Sequence, residues 1–128
     1  MHGDNRTDAA SPLSGTANQI EWAERIRGRV NVEFDRVAAT FSAVAAKQDA
    51  EAKADTLAII AILEDKRTEV MRRDQAGYFI HDWQEITDQV RRMIFRDMRY
   101  TAIRERQQTR RVRKRGSRSV HHDAEFPQ

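Results

Sequence analysis

The stretch IEWAERIRGRVNVEFDRVAATFSAV, residues 20–44, decides the fold. Apolar side chains recur in it at alternating steps of three and four, the spacing that keeps one stripe of a helix facing a partner helix. The stripe consists of Ile20, Ala23, Arg27, Val30, Phe34, Val37, Phe41 and Val44, and Arg27 alone interrupts its apolar character. Just upstream, Thr16 and Gln19 have the spacing of a capping box. The pattern predicts one long first helix over residues 17–48.

A second helix is predicted in TLAIIAILEDKRTEVMRR, residues 56–73. Its first two turns are apolar all round, which is typical of a helix wedged between two others. The preceding KQDAEAKAD contains neither Pro nor Gly, so the turn between the two helices is expected somewhere in residues 47–55. Gly77 is predicted to end the second helix, because glycine readily takes the left-handed conformation found after a helix.

A third helix is predicted to begin at Asp82, which has Glu85 three residues on as a capping partner. One side of it is apolar to about Ile103, and helix-permissive residues continue to Lys114. A second helix of about 21 residues is about 31 Å long, and residues 83–103 match that length. Residues 104–114 are therefore expected to overhang the bundle.

These segments predict an all-α fold, namely a long-helix antiparallel three-helix bundle with a basic C-terminal helical extension. The predicted organisation is a disordered arm over residues 1–15, the bundle over 16–103, and a basic helical extension with a flexible tail over 104–128. The coiled-coil-like seam of the first helix is longer than its partner can cover. A homodimer is therefore a possible state.

Charge is divided unevenly along the 128 residues. Residues 1–90 carry 11 basic and 16 acidic side chains, whereas residues 91–128 carry 12 and 4. There is no cysteine, and the longest apolar run is the seven residues from Leu57 to Leu63, where a spanning helix needs about 20. The polar first residues do not resemble a secretory signal. We therefore expect a cytoplasmic protein without a membrane partner.

The basic residues near the C-terminus form the candidate binding surface. At 100° per residue, six arginines fall within about 60° of Arg92, on the side opposite Val90: Arg92, Arg96, Arg99, Arg106, Arg110 and Arg113. Arg111, Lys114 and Arg115 add to them. A row of like charges opposes helix formation by a few tenths of a kcal/mol per i,i+4 pair, so an anionic partner is expected to neutralise it.

Two partner classes fit such a stripe. The first is a nucleic-acid backbone, bound non-specifically, because only Gln107, Gln108 and Thr109 interleave as side chains able to read base edges. The alternative is an acidic protein surface, with the chain acting as an inhibitor or assembly factor, for example of a host defence complex. The sequence does not distinguish a phosphate from a carboxylate as the counter-charge.

Catalytic, metal and cofactor sites are not predicted. No pair of histidines has the helical spacing of a metal site, and there is no glycine-rich phosphate loop and no nucleophile elbow. Carboxylate groups such as Glu64, Asp65 and Glu69 fit a solvated helix face. The chain is therefore predicted not to be an enzyme.

The segment QIEWAERIR, residues 19–27, resembles a QIxWAxxIR pattern of small uncharacterised proteins from bacterial phages, plasmids and integrated elements. YFIHDW, residues 78–83, is similar to a second block in some of them. The resemblance covers about fifteen residues, and it implies an accessory protein of a mobile element. That class includes DNA-handling factors and inhibitors of host defence, and the resemblance assigns no functional residue.

Overall fold

The computed structural model describes residues 11–125 of the chain, with side chains for residues 11–115. This part is all-helical, as predicted, and contains α1 (Ala17–Ala45), α2 (Ala50–Met71), α3 (Ala76–Asp82), α4 (Ile86–Phe95) and α5 (Met98–Glu125). Five helices stand where three were expected: α3 forms in the segment that was predicted to connect the second and third helices, and the predicted third helix is divided into α4 and α5.

The first two helices follow the sequence pattern closely. The capping box at the start of α1 is confirmed: the Gln19 backbone N–H donates to the Thr16 hydroxyl at 3.2 Å, and the Thr16 N–H donates to Gln19 Oε1 at 2.9 Å. The Asp49 carboxylate caps α2 by accepting from the Ala52 N–H at 3.0 Å. The turn therefore occupies residues 46–49, so it begins one residue before the expected window of 47–55 and overlaps its start. Four positions of the predicted seam are buried, Ala23, Val30, Phe34 and Val37, whereas Val44 is 45% exposed.

The first departure from the predicted third helix is at its start, between α3 and α4. Asp82, expected to cap that helix, is instead the last residue of α3, and Trp83 leaves the helical region at φ −113° and ψ 61°. The Gln89 side chain bridges the break, accepting from the Glu85 N–H at 3.1 Å and donating to the Asp82 carbonyl at 2.5 Å. Backbone groups freed by the break are thereby satisfied.

The second break lies at Asp97. This residue follows α4 and caps α5, since its carboxylate accepts from the Arg99 backbone N–H at 2.8 Å. Asp is a preferred helix-capping residue, and Lys66 of α2 holds the same carboxylate with its ammonium group 3.1 Å away. The prediction of one continuous helix through this point is wrong because Asp97 both ends and restarts the helical ladder.

Two further expectations are corrected around the N-terminal segment. Gly77 does not end a helix, since α2 ends at Met71 and Gly77 lies within α3. Residues 1–10 of the predicted flexible arm lie outside the described residues. Residues 11–15 contact the rest of the protein. Leu13 is buried. The Ser14 backbone N–H donates to the Asp74 carbonyl at 2.6 Å, and the Ser14 carbonyl accepts from the Ala76 N–H at 2.9 Å.

A single core joins all five helices. Its largest fully buried side chains are Phe34, Phe79, Ile62, Leu63, Ile94, Val30, Val70 and Val90. α5 enters this core through Ile103, which is buried. Ion pairs join Arg99 to Asp65 and Arg106 to Asp55, so α5 runs antiparallel to α2.

Candidate functional site

The predicted arginine stripe is divided by the break at Asp97. Arg92 and Arg96 belong to α4 and its C-terminal cap, whereas Arg99, Arg106, Arg110 and Arg113 belong to α5. Four of the six arginines have carboxylate partners within the chain, beginning with Arg92, whose guanidinium lies 3.5 Å from Glu85. The stripe is therefore not one continuous free surface.

Arg106 and Arg110 converge on Asp55, a buried carboxylate near the start of α2. Arg106 Nη2 lies 2.6 Å from Asp55 Oδ1 and Arg110 Nη1 lies 3.2 Å from Asp55 Oδ2. Arg110 also reaches Glu51 one turn earlier, at 3.4 Å. α5 thus stays against α2 to at least residue 110, which corrects the expectation that the whole of residues 104–114 overhangs the bundle.

The electrostatics of this pairing favour the charged carboxylate. Burial raises the pKa of Asp55, but the hydrogen bonds and positive charges of Arg106 and Arg110 together outweigh burial and leave the pKa below its ordinary value. Asp55 is therefore held as an anion by two cations, as buried charges in proteins must be.

Arg99 belongs to a second network at the start of α5. Its Nε lies 2.9 Å from Asp97 Oδ1 and its Nη1 lies 2.6 Å from Asp65 Oδ2. The side-chain hydrogen bond from Arg99 holds the pKa of Asp97 far below its usual range, although burial opposes it and Lys66 assists. These contacts join the first turn of α5 to Asp97 and to Asp65 of α2.

Arg99, Arg106 and Arg110 form what we call the inner basic row, which faces the carboxylates of α2. A second set lies on the other flank of the α5 face that carries Ile103, by helical geometry at 100° per residue. This outer basic row consists of Arg104, Arg111, Lys114 and Arg115. All four side chains are exposed, and none forms an ion pair with a described residue.

Arg104 is the member of the outer basic row that sequence reasoning missed. Its signal is the spacing to Arg111 and Arg115, seven and eleven residues on, which places all three on one helix face. The expected residues Arg96 and Arg113 are exposed and likewise lack an ion-pair partner among residues 11–115.

A cleft of about 380 Å³ lies between the start of α2 and the outer basic row. Arg104, Arg110, Arg111 and Lys114 contribute its positive charge, and Asp55 is its one acidic lining residue. Gln48 and Gln107 add side-chain amides. The cleft is thus strongly cationic, with neutral donors beside the charges.

Two other depressions lie elsewhere on the described surface. One is lined by His81, Asp82, Glu85, Arg92 and Arg96 among others, and mixes both signs of charge. The other lies between α1 and α4, beside Gly28, Val32 and Ile86. Among the described residues no group of three or more His, Cys, Asp or Glu side chains has the arrangement to hold a metal ion.

Comparisons of the chain with family models, curated proteins and solved structures give no match. The resemblance of residues 19–27 to proteins of mobile elements stays a prediction. In the part of the chain that the structure describes, every helix is too short or too polar to cross a membrane.

Proposed function

We propose that this chain binds the backbone of nucleic acid without reading its sequence, and that the outer basic row is the contact surface. One observation carries the proposal. The inner basic row has its counter-charges on α2, whereas the outer row, Arg104, Arg111, Lys114 and Arg115, has none among the described residues.

The geometry of the outer row suits an extended polyanion. From Arg104 to Arg115 the helix rises about 16 Å, and the cations lie on one flank along that length. Guanidinium groups bind phosphate oxygens through paired N–H donors. Like charges three and four residues apart weaken a helix, so a bound phosphate backbone removes a repulsion that the free protein retains.

Sequence-specific reading has little support in these side chains. Base recognition in a groove uses Asn, Gln, Ser or Thr beside the cations. Gln107 is half-buried against α2, which leaves Gln108 and Thr109 as the exposed polar neighbours in this part of α5. The outer row therefore fits phosphate contact, which positions a protein on nucleic acid without selecting a sequence.

Fluorescence anisotropy with a labelled duplex of mixed sequence tests the proposal. We expect binding of DNA or RNA at about 50 mM salt, with affinity falling steeply as salt rises because counterions are released. Replacing Arg104, Arg111 and Arg115 by Glu is expected to abolish binding. The matched control replaces the exposed Arg25, Arg29 and Arg72 by Glu, which changes net charge equally and is expected to retain most binding. Absence of binding to both nucleic acids would refute the proposal.

A second test distinguishes nucleic acid from an acidic protein as the partner of the outer row. The full chain is used to capture partners from cell extract with and without nuclease treatment. Loss of all partners after nuclease supports nucleic-acid binding. The outer row would be assigned to a protein surface instead if three results are found together. Partners remain bound after nuclease treatment, their capture depends on Arg104 and Arg111, and they bind the purified chain although no duplex does.

A further inference from the structure

The cleft between the start of α2 and the outer basic row contains more positive charge than the ion pairs of the fold require. Arg106 and Arg110 already neutralise Asp55. Arg104, Arg111 and Lys114 nevertheless line the same cleft, and their charges have no ion-pair partner among the described residues. The cleft therefore holds an excess of positive charge over what Asp55 balances.

Gln48 supplies a second feature that points to an anion. The Thr56 hydroxyl donates to Gln48 Oε1 at 2.6 Å, so the oxygen side of this amide is engaged and the NH₂ side remains as a donor. Gln48 is half-buried and lines the cleft. A fixed amide donor among three cations that have no ion-pair partner within residues 11–115 is a favourable arrangement for an oxyanion with several acceptor oxygens.

Asp55 does not repel such a ligand as a free carboxylate would. Its Oδ1 accepts from Arg106 and its Oδ2 accepts from both terminal nitrogens, Nη1 and Nη2, of Arg110. The carboxylate thereby holds Arg110 at the cleft, where that side chain is mostly buried.

We propose that this cleft is a phosphate-binding subsite, in which Arg104, Arg111 and Lys114 supply charge and the amide of Gln48 supplies a neutral donor. The inference rests on the proposed function, since the natural ligand is then one phosphodiester of a bound nucleic acid. The subsite anchors one phosphate, and Arg115, the remaining member of the outer row, is placed to contact the next part of the strand.

The matched pair Ala52→Glu and Ala54→Glu tests the subsite. Ala52 lines the cleft, whereas Ala54 is exposed and lies outside it. Both variants add one carboxylate to the first turns of α2, where acidic side chains are favourable. A carboxylate at position 52 is expected to occupy the cleft cations and weaken phosphate binding about tenfold, the equivalent of one charged hydrogen bond. The position 54 variant is expected to bind as the wild type does.

The probes are inorganic phosphate and the labelled duplex, added separately to the full chain. Amide resonances of Gln48, Ala52, Gln107 and Arg111 are followed during titration with sodium phosphate against sodium chloride of equal ionic strength. Saturable shifts at these residues support the subsite. Shifts that do not saturate, or that are equal at Arg25, Arg29 and Arg72, would overturn it.

Gln48→Glu provides a near-isosteric second variant that still accepts from the Thr56 hydroxyl, so a folding defect at position 52 does not decide the question. Weakening by Gln48→Glu, with Ala54→Glu unaffected, supports the subsite. Duplex binding that is equal in all variants would overturn the subsite and leave the proposed function standing. Phosphate binding in the cleft without duplex binding would overturn the nucleic-acid function and keep the subsite for a free phosphorylated ligand.

Discussion

Asp55 and Arg110 join the start of α2 to the middle of α5 through a carboxylate that is 4% exposed and a guanidinium that is 15% exposed. The two residues are 55 positions apart in sequence. Their contact turns α5 from an extension into a packed part of the domain. It also separates arginines that stabilise the fold from arginines that remain available to a ligand.

Replacing Asp55 by Ala is expected to destabilise the fold. The change leaves Arg110 without its main partner at a mostly buried site. We expect a loss of about 2 kcal/mol, less than the 3 to 5 kcal/mol typical of fully buried pairs, because Arg106 is half exposed and can be hydrated. Urea unfolding followed by circular dichroism measures it. Asp65→Ala, which removes an exposed partner of Arg99, is expected to cost about 0.5 kcal/mol or less. An equal loss of stability in the two variants would contradict a stabilising role of the buried Asp55 carboxylate.

Stability is expected to fall in acid because of Asp55 and Asp97. Both have a lowered pKa in the folded protein, so the unfolded chain binds protons first as pH decreases. Their contribution is fully present above the unfolded pKa of about 3.9. It is lost as pH falls from there through the folded values. Urea midpoints measured from pH 7 to pH 2 test this.

The variant that isolates the contribution of Asp97 is Asp97→Asn. Asn also caps helices, so the start of α5 is kept while the titrating charge is removed. We expect the decline of stability below about pH 4 to be shallower in this variant than in the wild type. Parallel pH profiles for the two proteins would show that Asp97 is not one of the groups responsible.

Two glycines are expected to respond to alanine with opposite signs. Gly15 has φ +151°, and an added Cβ would lie 3.0 Å from Gln19 Oε1 and 3.1 Å from the Ala76 Cβ. Gly15→Ala is expected to destabilise the protein by about 1 to 3 kcal/mol. Gly28 lies within α1 with nothing near its Cβ position, so Gly28→Ala is expected to stabilise by about 0.5 to 1 kcal/mol. Thermal unfolding of both variants checks the pair, and a stabilising Gly15→Ala would show that residues 11–15 do not constrain the fold.

The sequence predicts those features whose partners are local. The capping box of Thr16 and Gln19 and the buried seam of α1 depend on residues three or four apart, so periodicity and spacing are sufficient to find them. The breaks at Trp83 and Asp97 are different, since helix-permissive residues surround both. Asp97 is recognisable as a capping type, but its ion pair with Lys66 of α2 depends on tertiary packing.

The division of the arginines could not be predicted for a related reason. A helical wheel places Arg106 and Arg110 on the same stripe as Arg113, but it contains no information about α2. Asp55 lies about fifty residues earlier and becomes their counter-charge only after α5 packs antiparallel to α2. That this helix carries a basic binding surface stays a prediction. The residues proposed for the surface are now centred on Arg104 and Arg111.

The two basic rows are expected to separate stability from binding. The variant Arg106→Ala with Arg110→Ala leaves Asp55 buried without a counter-charge, so its melting temperature is expected to fall by several degrees, consistent with a loss of about 2 kcal/mol in a domain of this size. The variant Arg104→Ala with Arg111→Ala removes exposed cations that have no described ion-pair partner, and its melting temperature is expected to stay within about 1 °C.

Duplex binding is expected to follow the opposite order in the same two variants. Replacing Arg104 and Arg111 removes two cations from the same phosphate subsite, so the slope of log affinity against log salt is expected to decrease by about 1, since one phosphate is no longer neutralised. Replacing Arg106 and Arg110 leaves Asp55 in the cleft without its partners, which lowers affinity, but it removes no cation of the subsite, so the slope is expected to change little at temperatures where the variant remains folded. Both variants carry the same net charge, so a difference between them reflects position. If Arg106→Ala with Arg110→Ala lowers the salt slope as much as the other variant, the inner row also binds phosphate and the separation of the two rows is wrong.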